Sequence, residues 1–448
     1  MIPQKTFHII TYGCQMNVYD SSRMNEVLQE EGYREVLAAE DASLVILNTC
    51  HIREKAAEKV FSEVGRLRVI RERRKQLGGD MIIGVAGCVA QAQGDEIIKR
   101  APAVDLVFGP QSYQNLPTML KELAEKGRVL SLDFTDDDKF DHLPEKVYAE
   151  ARVQNSAAFL SIQEGCDKFC TYCVVPYTRG AEYSRPVDKI MGEALSLVKA
   201  GAKEITLLGQ NVNAWHGQSW DGSEWELGQL IRELADIKDL ERIRYTTSYP
   251  AEMTQGLLQT HHDVEKLMPY LHLPVQAGSN RILKLMNRRH TADDYRQIVE
   301  ELRKLRPDIA LSSDFIVGFP GESDKDFEDT LNLVKEVQFF QAYSFKYSPR
   351  PGTPAAEMDA QVEEHVKSER LQILQSELTK QTEKFNQGCL NKEMPILFSQ
   401  HGRKERQIIG RSPYSQPVHV YGDTKLIGQI HNVKITKALP NSMAGELI

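Results

Sequence analysis

The chain has 448 residues, a formal net charge of −8, 41% hydrophobic residues and 26% charged residues. This length allows two or three domains, each with its own core, and the composition is ordinary for a soluble globular protein. No apolar run approaches the ~18–20 residues of a membrane span, and the N-terminus lacks the pattern of a secretory signal. We therefore expect a cytoplasmic protein without a membrane partner, whose clustered cysteines bind metal or act in catalysis.

The first ~130 residues alternate short apolar runs with amphipathic helical patterns, which is typical of a parallel α/β sheet. The predicted strands are Thr6–Tyr12, Leu44–Asn48, Met81–Ala86 and Val104–Phe108. The predicted helices are Ser21–Glu31, Arg53–Arg74, Gly94–Arg100 and Leu116–Glu125. We assign residues 5–125 to an N-terminal open parallel α/β domain and residues 126–151 to a linker, because the stretch Asp133–Arg152 is acidic and weakly periodic.

A second βα series follows, and we assign residues 152–382 to it. Its predicted strands are Ala157–Gln163, Glu204–Leu208, Arg242–Ser248, Tyr270–Val275, Ile309–Val317 and Phe340–Lys346. Lys325–Glu336 is the clearest helical pattern between them, and a long helix is predicted over Val362–Phe385. Six βα units predict a partial (β/α)6 barrel, with the functional residues in loops at the carboxyl ends of the strands.

Residues 385–448 change to a period of two, which predicts a small antiparallel β-barrel of about five strands. Between His401 and Lys437 there are seven Lys or Arg residues and two acidic residues, so this module is basic on an acidic protein. Basic and aromatic side chains on a small barrel suit RNA backbone and stacked bases. The candidate RNA-binding residues are Arg403, Lys404, Arg411, Tyr414 and Lys434.

Three cysteines each follow a predicted strand: Cys14, Cys50 and Cys88. Because the carboxyl ends of parallel strands share one edge of a sheet, these cysteines should lie close together. A single cysteine in such a position is commonly a small buried hydrophobe. Three of them, each beside a turn, favour a set of metal ligands.

A second triplet, Cys166, Cys170 and Cys173, has the spacing CxxxCxxC. It could supply three ligands of a structural zinc site whose fourth ligand comes from elsewhere. It could instead hold a 4Fe–4S cluster, which normally takes four cysteinates and would here keep one iron open. The triplet follows the first strand of the predicted barrel, where an active site is expected, and this position favours the cluster.

Longer motifs extend this interpretation, namely CVVPYTRGAEYSRP, LLGQNVNAW, LPVQAGSNRILKLMNRRHT, DFIVGFPGE and YSPRPGTPAA. With the two cysteine triplets and the small C-terminal barrel, they resemble the radical S-adenosylmethionine (SAM) methylthiotransferases over nearly the whole chain. The resemblance implies an N-terminal cluster domain, a radical SAM core and an RNA-binding TRAM domain. It also implies two 4Fe–4S clusters, one held by Cys14, Cys50 and Cys88 and one by Cys166, Cys170 and Cys173.

In this family, two SAM molecules are used per turnover, one as methyl donor and one as radical source. The open iron of each cluster is the expected catalytic centre, and no side chain is assigned as acid or base. Further cofactor-binding residues are expected between the cluster cysteines and after the barrel strands. They are Phe169, Tyr172, Glu182, Arg185, Gln210, Asn211, Gln276, Asp314 and Gly318.

The motifs YGCQMNVYDS and NTCHIREKAAEKV are similar to the subtype that acts on isopentenylated adenosine beside the anticodon of tRNA. His51, Tyr249 and Ala277 depart from the usual family pattern. The resemblance implies a monomer that binds the tRNA anticodon loop and accepts electrons from reduced flavodoxin or ferredoxin; the sulfur donor stays unassigned. The alternatives are a threonylcarbamoyl-adenosine or ribosomal-protein aspartate substrate, and a non-catalytic zinc-dependent RNA-binding protein.

Overall fold

The computed structural model describes residues 5–51, 56–134, 139–140, 153 and 156–448. Most of the predicted linker and the start of the predicted helix Arg53–Arg74 lie outside these residues. The chain forms two compact units, the first comprising Met1–Tyr148 and Val174–Ala181, the second Ala149–Cys173 and Glu182–Ile448. Among the described residues, no helix has both the length and the apolar character needed to cross a membrane.

The first unit contains a six-stranded parallel sheet in the order β2-β1-β3-β4-β5-β6. Its strands are β1 (Thr6–Tyr12), β2 (Arg34–Glu35), β3 (Leu44–Thr49), β4 (Ile82–Gly87), β5 (Leu106–Phe108) and β6 (Val129–Ser131). Its helices are α1 (Gln15–Glu30), α2 (Ala56–Gln76), α3 (Cys88–Arg100), α4 (Leu116–Lys126) and α5 (Val175–Arg179). The predicted open parallel sheet is confirmed. The two strands that the sequence did not predict, β2 and β6, are too short to produce a period.

Both faces of this sheet are buried. Every residue of β3 is buried, which is typical of a central parallel strand. Because successive side chains point to opposite faces, Val45 and Leu47 join one apolar cluster and Leu44 and Ile46 join the other. Since helices cover both faces, the open edge of the sheet at the carboxyl ends of its strands is the place for a ligand site.

The second unit begins with the partial barrel. Its strands are β7 (Ala157–Ser161), β8 (Gln163–Glu164), β9 (Tyr183–Ser184), β10 (Glu204–Leu208), β11 (His216–Gln218), β12 (Glu224–Glu226), β13 (Arg242–Tyr245), β14 (Tyr270–His272), β15 (Ala310–Val317) and β16 (Gln341–Lys346). Its helices are α6 (Val187–Lys199), α7 (Leu227–Ala235), α8 (Gln255–Asp263), α9 (Asn280–Leu285), α10 (Ala292–Leu305), α11 (Asp324–Val337) and α12 (Glu364–Gly388).

The six predicted barrel strands form two three-stranded parallel sheets, β7-β10-β13 and β14-β15-β16. A single bridge between Ile243 and Leu267 continues the pairing from β13 toward β14. The predicted partial barrel is confirmed, with this interruption. The sequence pattern predicts six buried strands, but it does not indicate how many backbone hydrogen bonds join each strand to the next.

The C-terminal part of the second unit is a closed five-stranded barrel in the order β17-β18-β19-β21-β20. Its strands are β17 (Glu393–His401), β18 (Gln407–Arg411), β19 (Pro417–Tyr421), β20 (Ile430–Leu439) and β21 (Ser442–Leu447). The small barrel is confirmed. Its pairs are antiparallel except β19 with β21, which is parallel. The connection after β19 crosses to the far edge of β17, so β21 closes the barrel beside β19.

Two buried arginines of β13 fix this barrel to the core. Arg242 donates to the carbonyl oxygens of Arg411 (2.9 Å) and Pro395 (2.6 Å). Arg244 donates to those of Pro413 (2.7 Å) and Ser412 (3.0 Å). A carboxylate oxygen of Glu204 lies 3.0 Å from the Arg244 guanidinium, so the buried charge has a counter-ion.

Candidate metal centres

Cys14, Cys50 and Cys88, which we call the first cysteine site, lie at the carboxyl edge of three neighbouring strands. Cys14 precedes α1, Cys50 directly follows β3 and Cys88 is the first residue of α3. The Cys14 and Cys50 thiols are hydrogen-bonded to each other, and Cys88 is close enough to influence Cys14 electrostatically. The structure therefore brings together three cysteines that are 36 or more positions apart in the sequence.

Glycines allow the strand ends to approach at this site. Gly13 has φ +134°, and a Cβ atom there would lie 2.3 Å from the Cβ of Cys50. Gly87 has φ +87°, and its Cβ would lie 2.5 Å from Oδ1 of Asn48. Both positions combine a backbone that L residues rarely adopt with a contact too short for any side chain. Larger residues would displace Cys50 or the strand that leads to Cys88.

A buried amide pair lies beneath the first cysteine site. The Cys14 thiol donates to Oδ1 of Asn17 at 3.2 Å. Nδ2 of Asn17 donates to Oδ1 of Asn48 at 3.0 Å, and Nδ2 of Asn48 donates to the Asn17 carbonyl oxygen at 2.9 Å. Since both amides are fully buried, these bonds hold α1 against β3 and fix the direction of the Cys14 side chain.

Arg179, at the end of α5, supplies a positive charge to this site. Its guanidinium hydrogen-bonds Cys88 and pairs with Asp20 of α1 at 2.6 Å. The hydrogen bond with Cys50 and the Arg179 charge lower the pKa of Cys14 to about 6. Burial raises the pKa of Cys88, and Arg179 opposes that rise. The sequence prediction missed Arg179, although it lies in the motif CVVPYTRG directly after the second triplet.

Cys166, Cys170 and Cys173, the second cysteine site, belong to one loop after β8, which packs on the end of α9. The Thr171 hydroxyl donates to the Leu285 carbonyl oxygen at 2.9 Å. Nδ2 of Asn287 donates to the carbonyl oxygens of Lys168 (3.2 Å) and Phe169 (2.9 Å). These bonds hold the loop in place, and Phe169 and Asn287 both have positive φ values, 47° and 56°.

A second arginine contacts this triplet. Nη1 of Arg288 lies 3.7 Å from Sγ of Cys170, and Nη2 donates to the Pro274 carbonyl oxygen at 2.6 Å. The guanidinium lies 4.1 Å from the ring centroid of Tyr249, a position suited to cation–π stacking. Burial raises the pKa of Cys166 to about 11, so the three sulfurs experience unequal surroundings.

Two of the predicted cofactor residues shape the start of the cysteine loop. Oε1 of Gln210 accepts from the Gly165 N–H at 2.6 Å. Oε1 of Gln163 accepts from the backbone N–H groups of Gln210 (2.8 Å) and Asn211 (3.0 Å). Asn211 itself is buried, and neither polar atom of its side chain has a hydrogen-bond partner in the described part of the chain. Its amide is therefore available to a bound group.

Other predicted cofactor residues have contacts within the fold. Arg185 is buried and pairs with Glu193 at 2.7 Å, so it stabilises the barrel. Burial raises the pKa of Glu182. Tyr172 packs against the apolar cluster that contains Ala277.

Three predicted residues lie on or after β14 and β15. Gln276 has φ 77° and bridges to Phe315. Oδ2 of Asp314 lies 3.6 Å from Nε2 of His272. Gly318 has φ 69°, and a Cβ atom there would lie 2.4 Å from Cγ of Lys367, so a side chain would displace Lys367. Gln276 and Gly318 therefore follow strands, as the barrel pattern predicts, whereas Asp314 lies within β15.

The sequence prediction missed an aromatic face on the last barrel strand. Tyr343 and Phe345 are 46% and 51% exposed and pair with Asp314 and Ile316 of β15. Lys346, on the opposite side of the strand, contacts α12, so the two rings point to the inner face of the barrel. The alternation in QAYSFK is the signal that could have identified them.

The candidate RNA-binding residues do not form one cluster. Arg403 and Lys404 are exposed in the turn after β17, whereas Lys434 pairs with Glu393 at the start of β17. Tyr414 is half-buried and stacks against Phe385 with ring centroids 5.3 Å apart. Nη1 of Arg411 donates to the Ser415 carbonyl oxygen at 2.9 Å. Any RNA that contacts all five must extend along the barrel.

Both triplets have the donors that an iron–sulfur cluster takes. Among the described residues, no group of three His, Cys, Asp or Glu side chains could hold a single metal ion. In an iron–sulfur cluster each cysteinate binds a different iron. The all-cysteine donor set of each triplet therefore fits a 4Fe–4S cluster.

Three family models match the chain in sequence. They are uncharacterized protein family UPF0004 at residues 6–109, the radical SAM superfamily at 160–334 and the TRAM domain at 387–448. The tRNA-2-methylthio-N(6)-dimethylallyladenosine synthase of Rickettsia felis is 56% identical over 447 residues, which are 99% of this chain and 100% of that protein. This chain belongs to the same family. The synthase of Agrobacterium fabrum is 55% identical over 98% of this chain and 96% of its own length.

Solved structures show the same fold at low identity. The radical S-adenosylmethionine methyltransferase TsrM from Kitasatospora setae aligns with a TM-score of 0.58 at 12% identity, covering 79% of this chain and 75% of that chain. The cobalamin-dependent S-adenosylmethionine radical enzyme OxsB aligns with a TM-score of 0.56 at 12% identity, covering 84% and 56%. Membership of the radical SAM superfamily implies a 4Fe–4S cluster and SAM as cofactors.

Proposed function

We propose that this chain is a radical SAM tRNA methylthiotransferase that inserts a methylthio group at carbon 2 of N6-dimethylallyladenosine in tRNA. The observation that carries the proposal is the full-length identity of 55–56% to two synthases named for that product. The convergence of two separate cysteine triplets agrees with it, since the reaction needs both a radical source and a sulfur to transfer.

We assign Cys14, Cys50 and Cys88 to an auxiliary 4Fe–4S cluster, and Cys166, Cys170 and Cys173 to the SAM-binding cluster. When bound, these groups supply one-electron chemistry and the inserted sulfur, with two SAM molecules consumed per turnover. The chain's own residues hold the ligands: Asn17 orients Cys14, and Thr171 and Asn287 hold the second loop on α9. Asn211, buried and unpartnered beside that loop, is the side chain that we assign to SAM.

We place the modified base on the aromatic face formed by Tyr343 and Phe345. Carbon 2 of an adenine is accessible only when the base leaves its stack, and anticodon-loop bases do so at small cost. Stacking on an aromatic ring contributes about 1–3 kcal/mol per base, and each buried methylene of the dimethylallyl group adds about 0.8 kcal/mol. Arg403, Lys404 and Lys434 would bind the phosphates of the anticodon arm.

The decisive experiment is mass spectrometry of tRNA nucleosides from a strain that lacks its own synthase and expresses this chain. We expect 2-methylthio-N6-dimethylallyladenosine with the parent chain. The variant with Cys14, Cys50 and Cys88 all changed to Ala should lose that product while still forming 5′-deoxyadenosine from SAM. The Cys166→Ala variant should lose both. A normal yield of product from the triple variant would contradict the two-cluster assignment.

The same measurements separate the alternatives. Methylthiolated threonylcarbamoyl-adenosine, or a modified ribosomal-protein aspartate, would indicate a different substrate for the same chemistry. Stoichiometric zinc without iron or sulfide in anaerobically purified protein would indicate a non-catalytic RNA-binding protein.

A separate variant tests the proposed base site. Phe345→Ala should raise KM for tRNA about tenfold. Ile373→Ala, which removes an exposed apolar side chain from α12, is the matched control and should change KM less than twofold.

A further inference from the structure

Arg288 places a positive charge beside the second cysteine site in a fixed orientation. Its guanidinium is 3.7 Å from the Cys170 sulfur and is held on its other side by the Pro274 carbonyl oxygen at 2.6 Å. The guanidinium also stacks 4.1 Å from the Tyr249 ring centroid. Three contacts of different kinds therefore determine where this charge lies relative to the sulfur.

The Tyr249 ring that supports Arg288 is itself fixed. Its hydroxyl oxygen accepts from the backbone N–H of Arg289 at 2.7 Å. Its backbone N–H donates to Oδ1 of Asn213 at 2.7 Å, and its carbonyl oxygen accepts from Nδ2 of Asn213 at 2.8 Å. The His290 ring meets it edge-on at 5.8 Å. Tyr249, which departs from the usual family pattern, thus forms a rigid base for the guanidinium.

The two cysteine sites differ in whether their arginine is paired with a carboxylate. In the part of the chain that the structure describes, no Asp or Glu forms an ion pair with Arg288, whereas Arg179 at the first cysteine site pairs with Asp20 at 2.6 Å. The Arg288 guanidinium therefore acts on the Cys170 sulfur without a directly bonded carboxylate to offset its charge. Reduction of a bound cluster by one electron increases the negative charge at this site.

We propose that Arg288 is a positioning residue that raises the reduction potential of the cluster held by Cys166, Cys170 and Cys173. A cation and an N–H donor at a ligand sulfur stabilise the reduced form more than the oxidised form, because the reduced form carries one more negative charge. The inference rests on the proposed function, since it requires that this triplet holds a cluster.

The test is a potentiometric titration, followed by electron paramagnetic resonance of the reduced cluster. The full-length chain carries Cys14→Ala, Cys50→Ala and Cys88→Ala, so that one cluster gives the signal. Arg288→Met should lower the ratio of reduced to oxidised cluster at a fixed potential about tenfold, which is 59 mV for a one-electron couple. Arg288→Lys, which keeps the charge, should recover most of that ratio.

Controls separate the charge from simple packing. Arg289 is the next residue, and no contact between its side chain and a cluster sulfur is present among the described residues. Arg289→Met removes its positive charge and should change the ratio of reduced to oxidised cluster less than twofold. If Arg288→Met does not load iron, Arg288→Gln replaces it, because Gln retains a donor without the charge. An unchanged ratio in the loaded variant would overturn the proposal. Failure of the parent to load iron would instead overturn the proposed function.

Discussion

The two cysteine sites are built in opposite ways from the same ligands. The first takes one cysteine from each of three strand ends, and two glycines let those ends approach. The second takes three cysteines from one loop, which is held by a backbone carbonyl oxygen of α9 and by the side chain of Asn287 after that helix. The first site therefore depends on the whole parallel sheet, whereas the second depends on a few hydrogen bonds.

The sites also differ in how they balance charge. Arg179 at the first site is buried and paired with Asp20, so the pair is close to neutral before any ligand binds. Arg288 at the second site is partly buried and lies over an aromatic ring. We therefore expect the stability of the first site, which is built from distant residues, to depend on packing and buried charge. The stability of the second site, which is built from one loop, should depend on local hydrogen bonds.

The largest expected effect comes from removing Asp20. Asp20→Ala removes the carboxylate that pairs with the buried Arg179 guanidinium, which should lower the free energy of unfolding by about 3–5 kcal/mol. Glu193→Ala breaks a comparably buried pair with Arg185 in the other unit and is the matched control. Urea unfolding and iron analysis should show destabilisation in both variants, with loss of the first cluster only in Asp20→Ala. Full iron content in Asp20→Ala would contradict the expectation that the first site depends on the pairing of Arg179 with Asp20.

The next effect concerns the strand-end glycines. Gly13→Ala combines an unfavourable φ with a 2.3 Å contact to Cys50, so it should cost about 3 kcal/mol and impair the first site. Gly165→Ala in the second loop has an unfavourable φ of 76° and should cost about 1 kcal/mol. Denaturant midpoints of the two variants test the difference. Equal losses of stability in the two variants would mean that the short contact between position 13 and Cys50 adds nothing to the cost of the substitution.

His290, beside the second site, should make stability depend on pH. Burial lowers the pKa of His290 to about 3, below the ordinary 6.5 of the unfolded chain. Between these values the unfolded state binds the extra proton, so stability falls as the pH decreases below 6.5. From pH 7.5 to 5.5 the loss should be about 1.4 kcal/mol. His290→Phe should remove that part of the difference in unfolding free energy between the two pH values, as urea unfolding at pH 7.5 and 5.5 would show.

The smallest effect is expected at Asn287. Asn287→Gly keeps the positive φ but removes the hydrogen bonds to Lys168 and Phe169, which should cost about 1 kcal/mol because the position is exposed. The backbone amides of the loop that carries Cys166, Cys170 and Cys173 should then exchange hydrogen faster. Asn280→Gly, at the other end of α9, is the control, and its exchange pattern in the cluster loop should match that of the parent chain.

The sequence predicted the fold well where the period was strong. The strands β1 and β10 have the bounds that the pattern predicted, and the barrel rhythm and the C-terminal barrel are confirmed. Strand-end position also correctly predicted that Cys14, Cys50 and Cys88 converge, because the edge rule for parallel sheets applies without side-chain detail. The parallel pair β19–β21 could not be predicted, since it depends on how a loop crosses the barrel.

Side-chain partners were the part that the sequence could not provide. Arg179 and Arg288 lie within recognised motifs, yet a motif does not say which atom a guanidinium contacts. The unpartnered amide of Asn211 and the aromatic face at Tyr343 and Phe345 likewise depend on which side of a strand faces inward. Conversely, Arg185 was predicted as a cofactor contact and is engaged with Glu193; its direct contact with a cofactor stays a prediction.

Arg242 and Arg244 bind four carbonyl oxygens of the C-terminal barrel with side chains that rise from a strand of the core. A barrel joined only by a helix could swing, and it would then serve as a tether that increases the local concentration of RNA. A barrel whose backbone is bonded to the core instead keeps a fixed distance from the core strands. If the barrel holds the tRNA as proposed, the modified base must lie at a set distance from that contact. A tRNA whose anticodon arm is longer or shorter by one base pair should then bind without being modified.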